Sequence, residues 1–274
     1  IGHPGEQSGN GKYQGTAYIF YKSGASGWTQ QARIIGSGTY GGQYANSRFG
    51  KSVGIDGDTA IVGEANSYGS YAHIFTRTGT TWTQQARIRP NDGTNNDRFS
   101  NSVAIEGDTA IIGAWGQEKA YVYTRTGSTW TQQAQLLASD PESGDRFGYS
   151  VSINGNNAIV GAPYNDDTST RSGSVYLFKR SGSTWTQQAK MVSSDPGTND
   201  YFGWSTDFNQ NDLLIGAKGD DSNGVGSNCG AAYIFNMPHF SEEREYALET
   251  WNSNINLDVS GNIYFTGDII KNGS

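Results

Sequence analysis

The sequence predicts an all-β fold: a β-propeller of about five four-stranded antiparallel blades, followed by a short C-terminal β segment. Three observations predict it. Glycine is abundant (38 residues) and proline scarce (6), a mixture that suits many short strands joined by tight turns. The string WTQQA recurs, with its tryptophan at Trp28, Trp82, Trp130 and Trp185. Three other strand-like strings recur around it in fixed order, at a period of roughly 48 to 57 residues, the range of four-stranded propeller blades.

Within one unit the first string begins at Phe49, Phe99, Phe147 or Phe202. A small residue and then Ser follow the Phe, and apolar positions alternate after that, the period of a half-buried strand. The string ends at Asp56-Gly57, Glu106-Gly107 or Asn154-Gly155. Such pairs favour the positive φ of a two-residue hairpin, so the next string should pair antiparallel with the first. That second string, of the form AIVGA, covers residues 60–63, 110–113, 158–161 and 214–216. A loop of variable length leads to the third, of the form AYIF, at residues 17–20, 72–75, 120–123, 175–178 and 232–235. Another tight turn, at Thr78-Gly79, Thr126-Gly127 or Ser181-Gly182, joins it to WTQQA as the outer strand. An acidic loop then opens the next unit.

Both ends of the array are irregular. Ile1-Gly2-His3-Pro4 matches a second string, so the first unit lacks its first strand, and the fifth AYIF copy is followed only by residues 246–251 as a poor substitute outer strand. The expected division is a propeller over residues 1–240, with a linker and C-terminal β segment over 241–274. Two readings of that segment stay open. Residues 255–265, INLDVSGNIYF, have the form of the strand the first unit lacks and would close the ring. Alternatively, the segment starts a stalk, since LDVSGNIYFTGDIIKNG resembles short β segments of phage and giant-virus fibre proteins.

The pairs Phe147-Gly148 and Gly161-Ala162-Pro163 resemble the FG-GAP repeats of integrin α-subunit propellers. The resemblance covers about residues 1–236, with Phe99-Ser100 and Ala114-Trp115 as degenerate copies. It implies a surface recognition module, and in integrins a calcium loop between the first two strands of a blade. Calcium needs six to eight oxygen ligands, and here that position holds only IDGDTA, IEGDTA and INGNNA. A two-residue turn cannot wrap its carboxylates around an ion, so Asp56, Asp58 and Asp108 are expected to be turn formers. Asp166, Asp167, Asp220 and Asp221, in two later loops, offer the oxygen density for a weakly held cation such as Ca2+. The plainer reading is solvated acidic loops, and no cofactor is expected.

Other chemistry is discounted on the same grounds. Gly50-Lys51-Ser52-Val53-Gly54 fits a hydrolase GxSxG, but Ser52 has counterparts at Ser102, Ser150 and Ser205. A nucleophile occurs once and needs a strand-to-helix elbow, so this serine is structural. His3, His73 and His239 lack metal-ligand spacing, and His73 stands where AYIF has Tyr, as a packing substitution. The lone Cys229 excludes an intrachain disulfide. A net charge of −7 without a basic cluster disfavours nucleic acid. No apolar run approaches the ~20 residues that span a bilayer, so no membrane insertion is expected.

The recurrent tryptophans fill one place per unit and are expected to pack between blades. Aromatics that break the repeat are better ligand candidates: Tyr68, Trp115 and Tyr164, with Arg171, all in the variable loops. Those loops share one end of the propeller with the acidic loops, and recognition sits on loops held by a rigid scaffold. The expected function is non-enzymatic: a virion surface protein (fibre, spike or capsid decoration) for attachment or assembly. The alternative is a secreted cell-surface adhesin or lectin that binds a glycan or protein. Expected partners are other structural or surface proteins, or a host glycan or receptor, with trimer formation through the C-terminal segment. The expected location is the virion surface or the extracellular space and cell surface.

Overall fold

The computed structural model describes residues 1–6, 14–22, 24, 27–37, 47–65, 69–209, 212–221, 229–236, 255–257 and 263–264. The strands form five antiparallel sheets in chain order, as blades of a propeller. Blade one holds β1 (Gly2–His3), β2 (Thr16–Lys22) and β3 (Trp28–Ile34). Blade two holds β4 (Phe49–Asp56), β5 (Thr59–Glu64), β6 (Tyr71–Thr78) and β7 (Thr81–Ile88). Blade three is built from β8 (Phe99–Glu106), β9 (Thr109–Ala114), β10 (Lys119–Thr126) and β11 (Thr129–Leu136). In blade four they are β12 (Ser150–Asn154), β13 (Asn157–Ala162), β14 (Ser174–Ser181) and β15 (Thr184–Met191).

Blade five comprises β16 (Phe202–Phe208), β17 (Asp212–Ala217), β18 (Ala231–Asn236), β19 (Ile255–Leu257) and β20 (Ile263–Tyr264). Residues 255–257 pair with β18, where the other blades carry WTQQA, and 263–264 pair onto them as a fifth strand. Residues 246–251 lie outside the described residues.

The hairpins differ from expectation by one residue. Asp56 pairs with Thr59 and Glu106 with Thr109, so the two-residue loops are Gly57-Asp58 and Gly107-Asp108. Their first glycines have φ of 52° and 54°, the requirement of the first central position in a II′ turn. The outer hairpins follow the same rule, with Thr78 paired to Thr81 and Gly79 at φ 61°. Each outer hairpin also carries a bulge that no sequence signal marked, after Ile19, Ile74, Val122 and Leu177.

The core lies between blades. Each of four buried clusters joins the inner face of one blade to the next, such as Ile61, Ala72 and Ile74 against Phe99, Val103 and Ile105. Phe49, Phe99, Phe147 and Phe202 are fully buried and meet third-strand aromatics edge-on, at 5.3 Å for Phe147 and Tyr176. Burying one such ring stabilises by about 1.5–3 kcal/mol.

The two halves of the FG-GAP pattern touch across this interface. A Cβ on Gly113 would lie 2.0 Å from the carbonyl oxygen of Gly148 in the next blade, and one on Gly161 2.2 Å from that of Gly203. Ser52 Oγ donates to the Ser100 carbonyl at 2.7 Å, and Ser150 Oγ to that of Gly203 at 2.8 Å. The serine of GxSxG is thus an inter-blade tie.

Blade one shows what the interface contributes. It has no inner strand among the described residues, and Val53 in blade two is 42% exposed, whereas Val103 at the same repeat position is 7% exposed. An apolar cleft of about 660 Å³, lined by Ile1, Trp28, Val53 and Ile55 among others, opens there.

Candidate functional site

The site is built on one turn that recurs at the mouth of the propeller. Ahead of each inner-strand Phe stands a non-glycine residue at positive φ: Arg48 (49°), Arg98 (56°), Arg146 (61°) and Tyr201 (57°). Left-handed backbone costs such residues about 1–2 kcal/mol, so something must hold it. The preceding residue does so in three blades: Asp97, Asp145 and Asp200 are buried. Asp97 accepts the Phe99 N–H at 3.0 Å, Asp200 the Gly197 N–H at 2.5 Å, and Asp145 the Asn165 amide at 3.1 Å. Burial raises the pKa of all three.

The variable loops dock on these turns by one repeated bond. Gly116, Tyr164 and Gly219 donate their N–H to the carbonyls of Asp97, Asp145 and Asp200, each at 3.0 Å. Glu118 adds a brace between blades, its carboxylate accepting the N–H groups of Gly144 (3.2 Å) and Phe147 (2.5 Å) around Arg146. Burial pushes its pKa up, against the pull of those bonds.

On this scaffold six side chains from blades three, four and five form a closed circuit. The Arg146 guanidinium lies 4.8 Å from the Trp115 ring centre and 3.5 Å from that of Tyr164. Tyr164 meets Tyr201 at 5.1 Å, and Tyr201 meets Trp204 at 5.8 Å. Trp204 meets Tyr149 at 4.6 Å, and Tyr149 returns to Trp115 at 6.1 Å. Three further cations stand on the rim: Arg98 over Trp115 (5.5 Å), Arg171 over Tyr164 (5.6 Å) and Lys218 Nζ over Trp204 (3.5 Å). The circuit's members are half-buried, while Arg171 and Lys218 are exposed.

Of the ligand residues read from the sequence, Trp115, Tyr164 and Arg171 are therefore brought together. Tyr68 lies outside the described residues. Lys218 heads the last variable loop, on the end expected to bind, whereas Arg98, Arg146, Tyr149, Tyr201 and Trp204 come from outside those loops. Their signal was present at the positions flanking Phe-Gly, where the residue before Phe runs Arg, Arg, Arg, Tyr and the residue before Ser runs Lys, Asn, Tyr, Trp.

The four acidic positions do not converge. Asp167 is paired with Lys190, which with Asn165 lowers its pKa. Buried Asp220 accepts the Tyr233 hydroxyl, and Asp221 is exposed. Asp166 comes together instead with Glu142 and Asp145, whose carboxylate oxygens lie within 4.8 Å of one another. Asp145 is already engaged by Asn165.

In blades two and three the acids at the integrin-type calcium position are already engaged by backbone. Asp56 accepts the Gly107 N–H of the next blade at 2.7 Å, and Glu106 likewise accepts that of Gly155. These acids staple hairpin to hairpin.

His73 does more than pack. It is buried, and its Nε2 lies 2.7 Å from the buried Glu64 carboxylate. Tyrosines at the equivalent position also meet carboxylates: Tyr18 with Glu6, Tyr121 with Asp92 and Tyr233 with Asp195, each at 2.9 Å. At Tyr121 and Tyr233 the carboxylate comes from the acidic loop after WTQQA, which there folds onto the next blade.

No curated protein matches the chain. Among solved structures it is similar to Saccharomyces cerevisiae Sqt1, at 12% identity and a TM-score of 0.44 over 68% of this chain. That match spans less than half, 44%, of the yeast protein's chain. The FG-GAP repeat model matches residues 28–72, 82–128, 130–178 and 185–235. With the glycine contacts between blades already described, these matches show that the chain belongs to the FG-GAP repeat family.

Proposed function

We propose that this chain is a non-catalytic recognition module that engages its partner through the variable-loop mouth of the propeller. The closed circuit of Trp115, Arg146, Tyr164, Tyr201, Trp204 and Tyr149 carries this reading. Large rings at fixed positions supply contact area at little entropic cost, as in binding hot spots. At the opposite end, blades two to four offer two-residue hairpins. The module acts outside the cell, as an adhesin or lectin, or on a virion as an attachment protein. Assembly through residues 241–274 belongs to the virion version, and the native mass with and without those residues tests it.

Binding of the purified chain to intact cells and to a combined glycan and protein array tests the recognition reading. Tyr164→Ala and Arg171→Glu should abolish the signals, and Thr80→Arg on the hairpin end should leave them unchanged. Signals indifferent to the mouth variants would sink it.

A further inference from the structure

The cations at the mouth stand apart from carboxylates, unlike those of the outer strands that form ion pairs. Elsewhere Arg33, Arg77, Arg89, Lys119, Arg125 and Lys190 each face a carboxylate. Arg98, Arg146, Arg171 and Lys218 face none within ion-pair distance among the described residues, although acids outnumber bases, 26 to 19. These four stand together, stacked on the aromatic circuit. Arg180, on the hairpin end, also lacks a carboxylate and donates instead to Asn156 and Thr109; what sets the mouth apart is that four such cations share one aromatic surface.

Stacking decides how Arg146 can act. With its plane covered by Tyr164 at 3.5 Å and Trp115 at 4.8 Å, its N–H edge is what remains for an acceptor, and no hydrogen bond of its guanidinium is found among the described residues. A fixed guanidinium edge matches the two oxygens of a carboxylate. Close by, the buried Trp115 Nε1 also lacks an acceptor. Tyr164, Tyr201 and Trp204 add a run of rings, a surface for the apolar face of a pyranose. The border of the site limits ligand charge: Asp166, Asp167, Asp221 and Glu142 are exposed around it. An extended polyanion such as nucleic acid would meet repulsion there and across a net charge of −7.

Resting on the recognition reading above, we propose that the mouth binds a carboxylated saccharide. The sugar carboxylate lies on the edge of Arg146, flanked by Arg171 and Lys218, and its ring lies on the Tyr164–Trp204 run. An internal uronic acid and a terminal sialic acid both present this chemistry.

The test is calorimetric titration of the full chain with trigalacturonic acid and with sialyllactose, beside the methyl ester of the first and lactose for the second. The expected result is saturable binding of one acidic probe, with its neutral counterpart weaker by about tenfold or more, the loss of a charge-assisted pair. Arg146→Gln and the exposed Arg171→Gln should each weaken that binding, and melting temperature confirms the fold of both. Which probe binds distinguishes the uronic from the sialic source. Equal binding of acid and neutral forms overturns the carboxylate while leaving a recognition platform. Failure of both acidic probes, with array or cell binding still lost in Tyr164→Ala, overturns the saccharide and leaves the recognition reading standing. Binding of an acidic probe that neither arginine variant alters overturns the site itself.

Discussion

The indole N–H of Trp130 donates to Gln85 Oε1 at 2.9 Å, and Gln85 belongs to the outer strand of the preceding blade. Trp82 reaches Gln31 at 2.7 Å and Trp185 reaches Gln133 at 3.0 Å in the same way. One face of each of these rings carries an arginine of its own blade, Arg77, Arg125 or Arg180, at 5.3–5.5 Å. The second glutamine of WTQQA is therefore the receiver of the next blade's tryptophan, which explains why the string is kept whole.

Trp28 has no preceding blade among the described residues and is 71% exposed, against 8% for Trp130. Trp130→Ala should cost about 3–5 kcal/mol, the range for a buried large aromatic. Trp28→Ala should stay within about 0.5 kcal/mol, as a surface change. Urea unfolding of the two variants measures this, and equal losses would contradict inter-blade packing as the role of the repeat tryptophan.

Gly113→Ala should destabilise by at least about 2 kcal/mol, because the new methyl meets a backbone carbonyl rather than a side chain that can turn away. Blades three and four would have to separate to admit it. A shift in melting temperature below that of a typical surface variant would show that the blades slide more freely than the contact implies.

Ser100 holds φ at 61° where three other blades carry glycine, and its Oγ is buried without a partner. Ser100→Gly removes both penalties and should stabilise by about 1 kcal/mol, less the extra freedom glycine gains in the unfolded chain. Thermal unfolding checks the sign. A loss of stability would mean that the serine hydroxyl finds a partner, such as water, in solution.

What was legible in the sequence followed what the repeat forces to be equal. Strand order, the two hairpins and the inter-blade serine all recur, so a shared string discloses a shared contact. The hairpin register lies one residue from the expected one because Asp-Gly reads as the central pair, whereas glycine here takes the first central place and Asp58 the second. The mouth was half legible. Trp115 and Tyr164 break a loop pattern and stand out, while Tyr149 and Trp204 sit beside the recurrent Phe-Gly and read as part of it. Arg146 was illegible for a physical reason: only the left-handed turn aims it between two rings, and no local string announces that turn.

Glu6 clasps the two outer strands of blade one, β2 and β3. Its carboxylate takes Arg33 at 2.6 Å, Tyr18 at 2.9 Å and the Thr16 hydroxyl. Those bonds, Thr16 first and then Arg33, lower its pKa from 4.5 to about 2. A depressed carboxylate adds stability that is complete above its unfolded value and is lost as pH falls through its folded value. Asp97, Glu118, Asp145 and Asp200 act in the opposite sense: their raised pKa values add stability at low pH that is lost on ionisation. The whole-protein profile therefore mixes both, and a difference profile isolates Glu6. Relative to Glu6→Gln, the wild type should hold a constant advantage from pH 7 to about 4.5, shrinking toward zero near pH 2. Parallel unfolding curves at pH 7, 5, 3.5 and 2.5 supply the measurement. An advantage that persists unchanged at pH 2.5 would show that the amide replaces the clasp poorly for steric reasons, and that the charge on Glu6 contributes nothing.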